Sequence, residues 1–341
     1  MSISLINKTL GKASSGDFGY SVFLNNNISI VSSNNLSSTG DLTFQESYKG
    51  NWEEKLFVDG AVGLGLYGDI DKNYFITSNF GSDIVYLYKR TKGVWNLVDT
   101  ITYSENINYG ISVSISNNIA VVGANDGGGA AVGIVFIYEI ENDSLILKQT
   151  LNAEGANERF GSSVSIDKNY LVVSSNSSDG FLSKITIFEK GEKEWFKTVS
   201  FNEESLADDY GYSTSINGNY CATLANDYNS GNIKLYIYEK EKNWSLKYTY
   251  TEAGTVPGSF TLQNLAIDKN YLILGLPQHD SSRGKVIIFK KEKEWAINKV
   301  ILGTTTGDFF GGSVDISNDY FSVGAKEEGT GGASYIYQLK N

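Results

Sequence analysis

The chain has 341 residues, a formal net charge of −11 and a pI near 4.7. This acidic balance disfavours nucleic acid and anionic membrane surfaces as partners, because both are bound by basic surfaces. A lone cysteine, Cys221, excludes an intramolecular disulfide and a cysteine-based zinc site, and we expect it in the core. We see no apolar run of bilayer length, so we expect no membrane insertion. We see no signal peptide either, so we expect synthesis in the cytosol. Membership of a virion or a surface assembly stays open.

An aromatic or apolar residue followed by glycine recurs along the chain at intervals of about fifty residues. The clear copies are Phe18-Gly19, Tyr109-Gly110, Phe160-Gly161, Tyr210-Gly211 and Phe310-Gly311. Two weaker copies begin at Leu64 and Thr261. Seven copies of one unit predict a repeat architecture.

Each copy contains four segments with the character of β-strands, which we label a to d. In the copy that begins at Phe160, the predicted strands are 162–166, 170–174, 184–188 and 195–199. Strand a alternates small and apolar residues, whereas strand b is a continuous apolar run that is typical of a buried strand. Four antiparallel strands per unit, repeated radially, are the pattern of a β-propeller.

The two ends of the chain fit this architecture. The last copy, 310–339, lacks a strand d, and the N-terminal segment 3–9 has the position that this strand should have. We therefore predict an all-β, seven-bladed propeller with four antiparallel strands per blade and one domain over residues 1–341. The N-terminal strand completes the last blade and closes the ring, which removes exposed sheet edges.

These residues resemble the FG-GAP repeat, the unit of the seven-bladed propeller in integrin α-subunit heads and many bacterial surface proteins. The Gly-Ala of that motif stands at Gly123-Ala124 and Gly324-Ala325, and Gly275-Leu276-Pro277 keeps the proline. The likeness covers the whole chain and is greatest to the short-turn bacterial form of the repeat. It implies a propeller used in binding or adhesion.

The turn between strands a and b departs from the integrin pattern. Integrin-like copies carry a calcium loop there, and such a loop needs about six oxygen ligands and a glycine. Here the turn is only three residues long, as in 167–169. The nearest remnant, 69–73, lacks the glycine and a final acid. We therefore expect no metal and no cofactor.

Catalytic motifs are present only in outline, and we expect no enzymatic activity. His279, Asp280 and Ser281 are neighbours on one loop, and the chain has no Gly-x-Ser-x-Gly elbow. The segment 63–68 spells Gly-x-Gly-x-x-Gly, but it leads into a predicted strand rather than the helix of a dinucleotide site.

The loops between strands b and c and between strands d and a vary from copy to copy, and they lie at one end of each blade. Variable loops on a rigid scaffold are the usual place for recognition. The candidate ligand-binding residues are Phe80, Asp126, Asp179, Asp227, His279 and Arg283.

Two functions remain open. The first is a non-enzymatic scaffold that binds protein partners through the variable loops, in adhesion or within an appendage or virion. The alternative is a multivalent lectin with glycan sites between blades. Its candidate sugar-stacking residues are the tryptophans that open the d strands: Trp52, Trp95, Trp195, Trp244 and Trp295. Packing between neighbouring blades explains the same recurrence.

Overall fold

A computed structural model describes residues 2–12, 17–33, 40–59, 64–79, 81–103, 107–126, 132–176, 183–202, 209–227, 230–253 and 264–340. These residues form seven four-stranded antiparallel sheets, the blades of a β-propeller, which confirms the predicted fold class. The helical content of these ranges is one short segment, α1 (His279–Ser282). The chain divides into two compact units, which we describe separately. The single-domain assignment stays a prediction.

The first unit comprises Met1–Leu66, Lys92–Trp95 and Gly258–Asn341. Blade 1 contains β2 (Phe18–Asn25), β3 (Ile28–Ser33), β4 (Asp41–Tyr48) and β5 (Asn51–Asp59). Blade 6 contains β22 (Leu265–Asp268), β23 (Tyr271–Leu276), β24 (Lys285–Lys291) and β25 (Trp295–Leu302). Blade 7 contains β26 (Val314–Ser317), β27 (Tyr320–Ala325), β28 (Ala333–Lys340) and β1 (Ser2–Leu10).

The second unit comprises Tyr67–Thr91 and Asn96–Pro257. It holds most of blade 2, which contains β6 (Leu64–Asp71), β7 (Tyr74–Asn79), β8 (Ile84–Thr91) and β9 (Val94–Thr102). Blade 3 contains β10 (Tyr109–Ser116), β11 (Ile119–Ala124), β12 (Ile134–Glu141) and β13 (Ser144–Asn152). Blade 4 contains β14 (Phe160–Asp167), β15 (Tyr170–Ser175), β16 (Lys184–Lys190) and β17 (Trp195–Asn202). Blade 5 contains β18 (Thr214–Asn217), β19 (Tyr220–Asp227), β20 (Asn232–Lys240) and β21 (Trp244–Glu252).

Blade 7 is completed by the N-terminal strand, as the sequence predicts. Strand β1 pairs antiparallel with β28, and Leu5 lies opposite Tyr337 and Lys8 opposite Tyr335. Strand β1 extends one residue beyond each end of the predicted segment 3–9. The first and last strands of the chain therefore share one sheet, and β28 is not left as an open edge.

Apolar residues fill the space between neighbouring blades. In the second unit, Ile137 of blade 3 packs in one cluster with Leu171 and Trp195 of blade 4. Strand β11 is buried at every position, whereas strand β13 is largely exposed. This gradient explains why the b strands are continuous apolar runs and the d strands are mixed.

The aromatic-glycine dipeptide and the Gly-Ala pair meet across a blade boundary. Gly161 has φ +92, and the register between β14 and β15 shifts just after Phe160. A Cβ on Gly123 would lie 2.1 Å from the carbonyl oxygen of Gly161 in the next blade. Gly324 meets Gly19 of the next blade in the same way, at 2.0 Å. Glycine recurs here because two backbones touch and one also needs a positive φ.

Within the second unit, side chains of the a strands join neighbouring blades. Asp69 Oδ2 in blade 2 accepts hydrogen bonds from Ser114 Oγ at 2.6 Å and from the Ile115 amide at 2.8 Å in blade 3. Ser114 Oγ in turn accepts from the Ile166 amide of blade 4 at 3.1 Å. Asp71 accepts from the Asn117 amide at 2.7 Å. The two acids that resembled a calcium loop therefore serve as hydrogen-bond acceptors for the adjacent blade.

Candidate functional site

The variable loops lie at one end of each blade. This end carries the connections from strand b to strand c and from strand d to the strand a of the next blade. We call this the variable end. The residue before each aromatic-glycine dipeptide and the residue after it are both half-buried there, while the dipeptide itself is buried. The preceding residues that the structure describes are Asp17, Asn108, Arg159, Asp209 and Phe309. The following residues are Tyr20, Ile111, Ser162, Tyr212 and Gly312. One fixed dipeptide thus presents two residues that differ from blade to blade.

Local backbone geometry directs these preceding residues. Asp17, Asn108, Arg159 and Phe309 all have positive φ, between 48 and 57 degrees. In each case the carbonyl oxygen accepts a hydrogen bond from the amide three residues later, as from Tyr20 to Asp17 at 3.0 Å. A positive φ suits Asn and Asp but is unfavourable for a residue as bulky as Phe309. Such strain is retained where the surrounding structure enforces it, and it concentrates at functional sites.

In the first unit, these positions converge on Lys326, the first residue after β27. Its ammonium lies 5.3 Å from the centre of the Phe309 ring in the same blade and 5.4 Å from that of Tyr20 in blade 1. Glu327 lies 3.6 Å from the ammonium. Burial raises the pKa of Asp17. The positive charge of Lys326 acts against this rise, and the negative charge of Glu327 adds to it. We call Asp17, Tyr20, Phe309, Lys326 and Glu327 the lysine cluster.

In the second unit, the same three positions form a cluster of different chemistry. Asn125, the first residue after β11, accepts a hydrogen bond from Asn108 Nδ2 at 3.1 Å and donates to Ser162 Oγ of blade 4 at 3.2 Å. Asn108 also donates to Asp126 at 2.8 Å. The Ser162 hydroxyl donates to the carbonyl oxygen of Arg159 at 2.7 Å. We call these five residues the amide cluster. The scaffold therefore carries an aromatic and cationic site at one boundary and an amide-rich site at another.

The candidate residues from the variable loops that the structure describes lie in different surroundings. Asp126 belongs to the amide cluster. Asp227 is in blade 5, where its hydrogen bonds to Ser230 lower its pKa to about 2, and Lys234 lies 3.2 Å away. His279 and Arg283 lie in or beside α1, and Arg283 forms an ion pair with Asp280 at 3.0 Å. Phe80 and Asp179 lie outside the described residues.

The tryptophans pack between blades. Trp95, Trp195, Trp244 and Trp295 are only 3 to 7% exposed, and Trp52 is half-buried. Trp244 makes an edge contact with Tyr170 of blade 4 at 5.4 Å between centroids. The backbone of Trp195 is held by the Gln149 side chain of blade 3, with bonds of 2.8 and 3.0 Å. These contacts favour the packing explanation, because little ring surface is left for stacking on a sugar.

A cavity of about 300 Å³ nevertheless lies beside Trp195 at the opposite end of the blades. Buried apolar side chains of blade 3, among them Ile119 and Ile137, line it together with charged residues of the turn 192–194 in blade 4. Its volume is at the lower end of the range for small-ligand pockets. This cavity offers room for a glycan between two blades.

No group of three or more His, Cys, Asp or Glu residues in the described ranges could hold a metal ion. No helix in that part of the chain is long and apolar enough to cross a membrane. Cys221 is fully buried, and desolvation raises the pKa of its thiol.

This chain is similar to solved structures at low sequence identity, among them a WD40 propeller. The WD40 domain of Toxoplasma gondii coronin is similar with a TM-score of 0.63 and 11% identity, over 99% of this chain and 88% of that one. The shared fold is the β-propeller. A protein from Lactobacillus plantarum is similar with a TM-score of 0.61 and 11% identity, over 84% of this chain and 85% of that one. Identities this low concern the fold alone.

No protein-family model matches the chain, and no curated protein matches its sequence. The likeness to the FG-GAP repeat therefore remains a resemblance.

The residues that flank the dipeptide were not predicted from the sequence. The predicted site residues come from the loops that differ most in length, whereas Asp17, Tyr20, Asn108 and Phe309 adjoin the most regular feature of the chain. A signal was available, since aligning the repeats on the dipeptide shows two variable columns beside two constant ones.

Proposed function

We propose that this protein is a non-enzymatic scaffold that binds a protein partner through the variable ends of its blades. Propellers commonly serve as protein-interaction scaffolds, and rigid scaffolds with variable loops are suited to recognition. The observation that carries the proposal is the contrast between the constant buried dipeptide and the two variable, half-buried residues beside it.

The lysine cluster is the strongest candidate for the centre of this contact. Aromatic side chains are enriched among the residues that dominate binding energy, particularly where they are partly buried and held in place. Tyr20 and Phe309 are both half-buried and both held against Lys326. The net charge of −11 makes a partner with a basic surface the better match.

Photo-crosslinking from the two ends of the blades tests this proposal. A photoreactive residue would replace Tyr20 or Lys326 at the variable end, or Lys193 at the opposite end, in cells that make the protein. We expect one recurrent protein adduct from the first two positions and none from Lys193. That adduct should be lost with Phe309→Ala while the melting temperature is kept. Adducts from Lys193 alone would overturn the proposal.

A role in adhesion, or within an appendage or virion, would follow from the identity of that partner.

The lectin alternative is supported by one observation, the cavity beside Trp195. A glycan array separates it from the protein-partner proposal. Binding that disappears with Glu194→Ala and Lys193→Ala, but survives Phe309→Ala, would favour the lectin. A blank array with crosslinks at the variable end would favour the protein partner.

A further inference from the structure

A buried carboxylate lies beside the strand that completes blade 7. Asp308, in the loop before β26, is 5% exposed, and its Oδ2 atom is buried without a hydrogen-bond partner. A buried carboxylate oxygen without a donor is costly when the group is charged. Asp308 adjoins Phe309 of the lysine cluster in the sequence, but its carboxylate belongs to neither cluster, and its burial needs an explanation of its own.

Two charged side chains of blade 7, Glu328 and Lys8, act on this carboxylate. Glu328 follows β27, and its side chain is 13% exposed. Its carboxylate accepts hydrogen bonds from Lys8 Nζ of β1 and from Tyr335 Oη of β28. The Lys8 ammonium also lies 5.0 Å from the centre of the Tyr335 ring. Glu328 thus holds the terminal strand to the blade through Lys8.

The two acids share one cation. The charged groups that act on Asp308 are Glu328 and Lys8, and Tyr335 is the other titratable group of the cluster. If both acids are ionised, the cluster holds two negative charges against one lysine. Burial raises the pKa of Asp308, and the Glu328 charge adds to that effect. Hydrogen bonds from Thr305 and the charge of Lys8 oppose this effect, but the net direction is upward, so the folded protein binds the Asp308 proton more tightly than the unfolded chain does.

We propose that Asp308, Glu328 and Lys8 form a pH-sensitive latch that controls how firmly the N-terminal strand β1 is held in blade 7. With Asp308 neutral, Glu328 keeps Lys8 and the strand is held. When Asp308 ionises, it repels Glu328 and competes for Lys8, so the attachment of β1 weakens. The direction of this pH dependence follows from the raised pKa of Asp308 in the folded state. The stabilisation of the β1 attachment is complete below the ordinary aspartate pKa. It is lost as the pH rises through the higher folded-state value.

Hydrogen exchange of the β1 amides tests the latch. Protection would be measured from about pH 4 to about pH 8 and corrected for intrinsic exchange rates. We expect the protection of residues 3–9 to fall by at least fivefold with rising pH in the wild type. It should stay flat and high in Asp308→Asn, which keeps the shape and removes the charge.

A control separates the latch from general loosening. Glu328→Gln should lower the protection of β1 at every pH, because it removes the partner of Lys8. The protection of β15, in the second unit, should be the same in both variants as in the wild type. The carboxyl carbon of Asp308 in the wild type provides a reading that needs no substitution, and its NMR titration should coincide with the loss of protection.

Two results would overturn the proposal. Equal pH profiles in the wild type and Asp308→Asn would show that this carboxylate does not control β1. Protection restored at high pH by sodium or calcium ions, in the wild type only, would show that a bound cation neutralises the two acids in place of a proton.

Discussion

At the scale of single residues, the tryptophans that open the d strands act as contacts between blades. Trp244 is buried against Tyr170 of the preceding blade, and Trp95 lies 5.2 Å from Phe44 of its preceding blade. Phe196, next to Trp195, has its side chain in solvent with 48% exposure. Adjacent aromatic residues on one strand thus have opposite surroundings, because successive side chains point to opposite faces.

Removing one of these indoles should destabilise the fold. We expect Trp244→Ala to lower the free energy of unfolding by about 3 to 5 kcal/mol, through lost burial and an unfilled cavity. Phe196→Ala is the matched control and should change it by less than about 0.5 kcal/mol. Chemical denaturation provides the measurement. Equal effects of the two substitutions would contradict the assigned packing.

Asp69 should give the fold a measurable pH dependence. Burial is the main cause that raises its pKa from 3.8 to about 6, although Ser114, Ile115 and Ile70 donate hydrogen bonds to it. The folded state therefore binds this proton more tightly than the unfolded state. The resulting stabilisation is present below pH 3.8 and is lost as the pH rises through about 6.

Serine stands at the equivalent position of blade 4, Ser165, so Asp69→Ser is a substitution that the repeat already uses. We expect the stability of the wild type relative to this variant to fall by up to about 3 kcal/mol between about pH 4 and pH 7. Thermal unfolding across this range would test it. A difference that is independent of pH would contradict the raised pKa.

At the scale of structural elements, the aromatic-glycine dipeptide joins two blades. Gly110 has φ +87, and an added Cβ would lie 2.7 Å from Ser78 Cβ of blade 2. Gly50, in the turn between β4 and β5, has φ +86 but no atom within 4 Å of that position. The two glycines have nearly the same φ and differ in the space around the position of an added Cβ.

This pair provides a matched test of the contact between blades. Gly50→Ala should cost about 1 kcal/mol from the positive φ alone. Gly110→Ala should cost at least about 2 kcal/mol more, because Ser78 and its strand must move. Denaturant unfolding of both variants would separate strain from overlap. Similar values would show that the glycine is needed only for its backbone conformation.

The sequence was most informative about these repeated elements. The four strands of each blade, the completing strand 3–9 and the burial of Cys221 all follow from patterns of polarity and period, which packing enforces at every copy. The lysine cluster could not be predicted in this way. Its positions recur in every clear copy, but Phe309 and Lys326 differ from the residues at the equivalent positions of the other clear copies, and the pairing of the two chain ends brings residues 17, 20, 309 and 326 together.

At the scale of the whole molecule, we assign folding to the residues that recur in every copy and propose that recognition depends on the residues that differ between copies. The short turns between strands a and b are consistent with this division. In blade 2, Asp69 and Asp71 are engaged as acceptors for blade 3. A chelator should therefore leave the melting temperature unchanged. A fall of many degrees in calorimetry would show that metal contributes to the fold.

A proteolysis-based stability scan of every single substitution tests the central claim most directly. The aromatic and glycine positions of the dipeptide should be intolerant of substitution in blades 1, 3, 4, 5 and 7. The residues immediately before and after the dipeptide, such as Asp17, Tyr20, Ser162 and Phe309, should tolerate most substitutions. If these flanking residues prove as intolerant as the dipeptide, they serve folding, and the assignment of recognition to the variable ends is wrong.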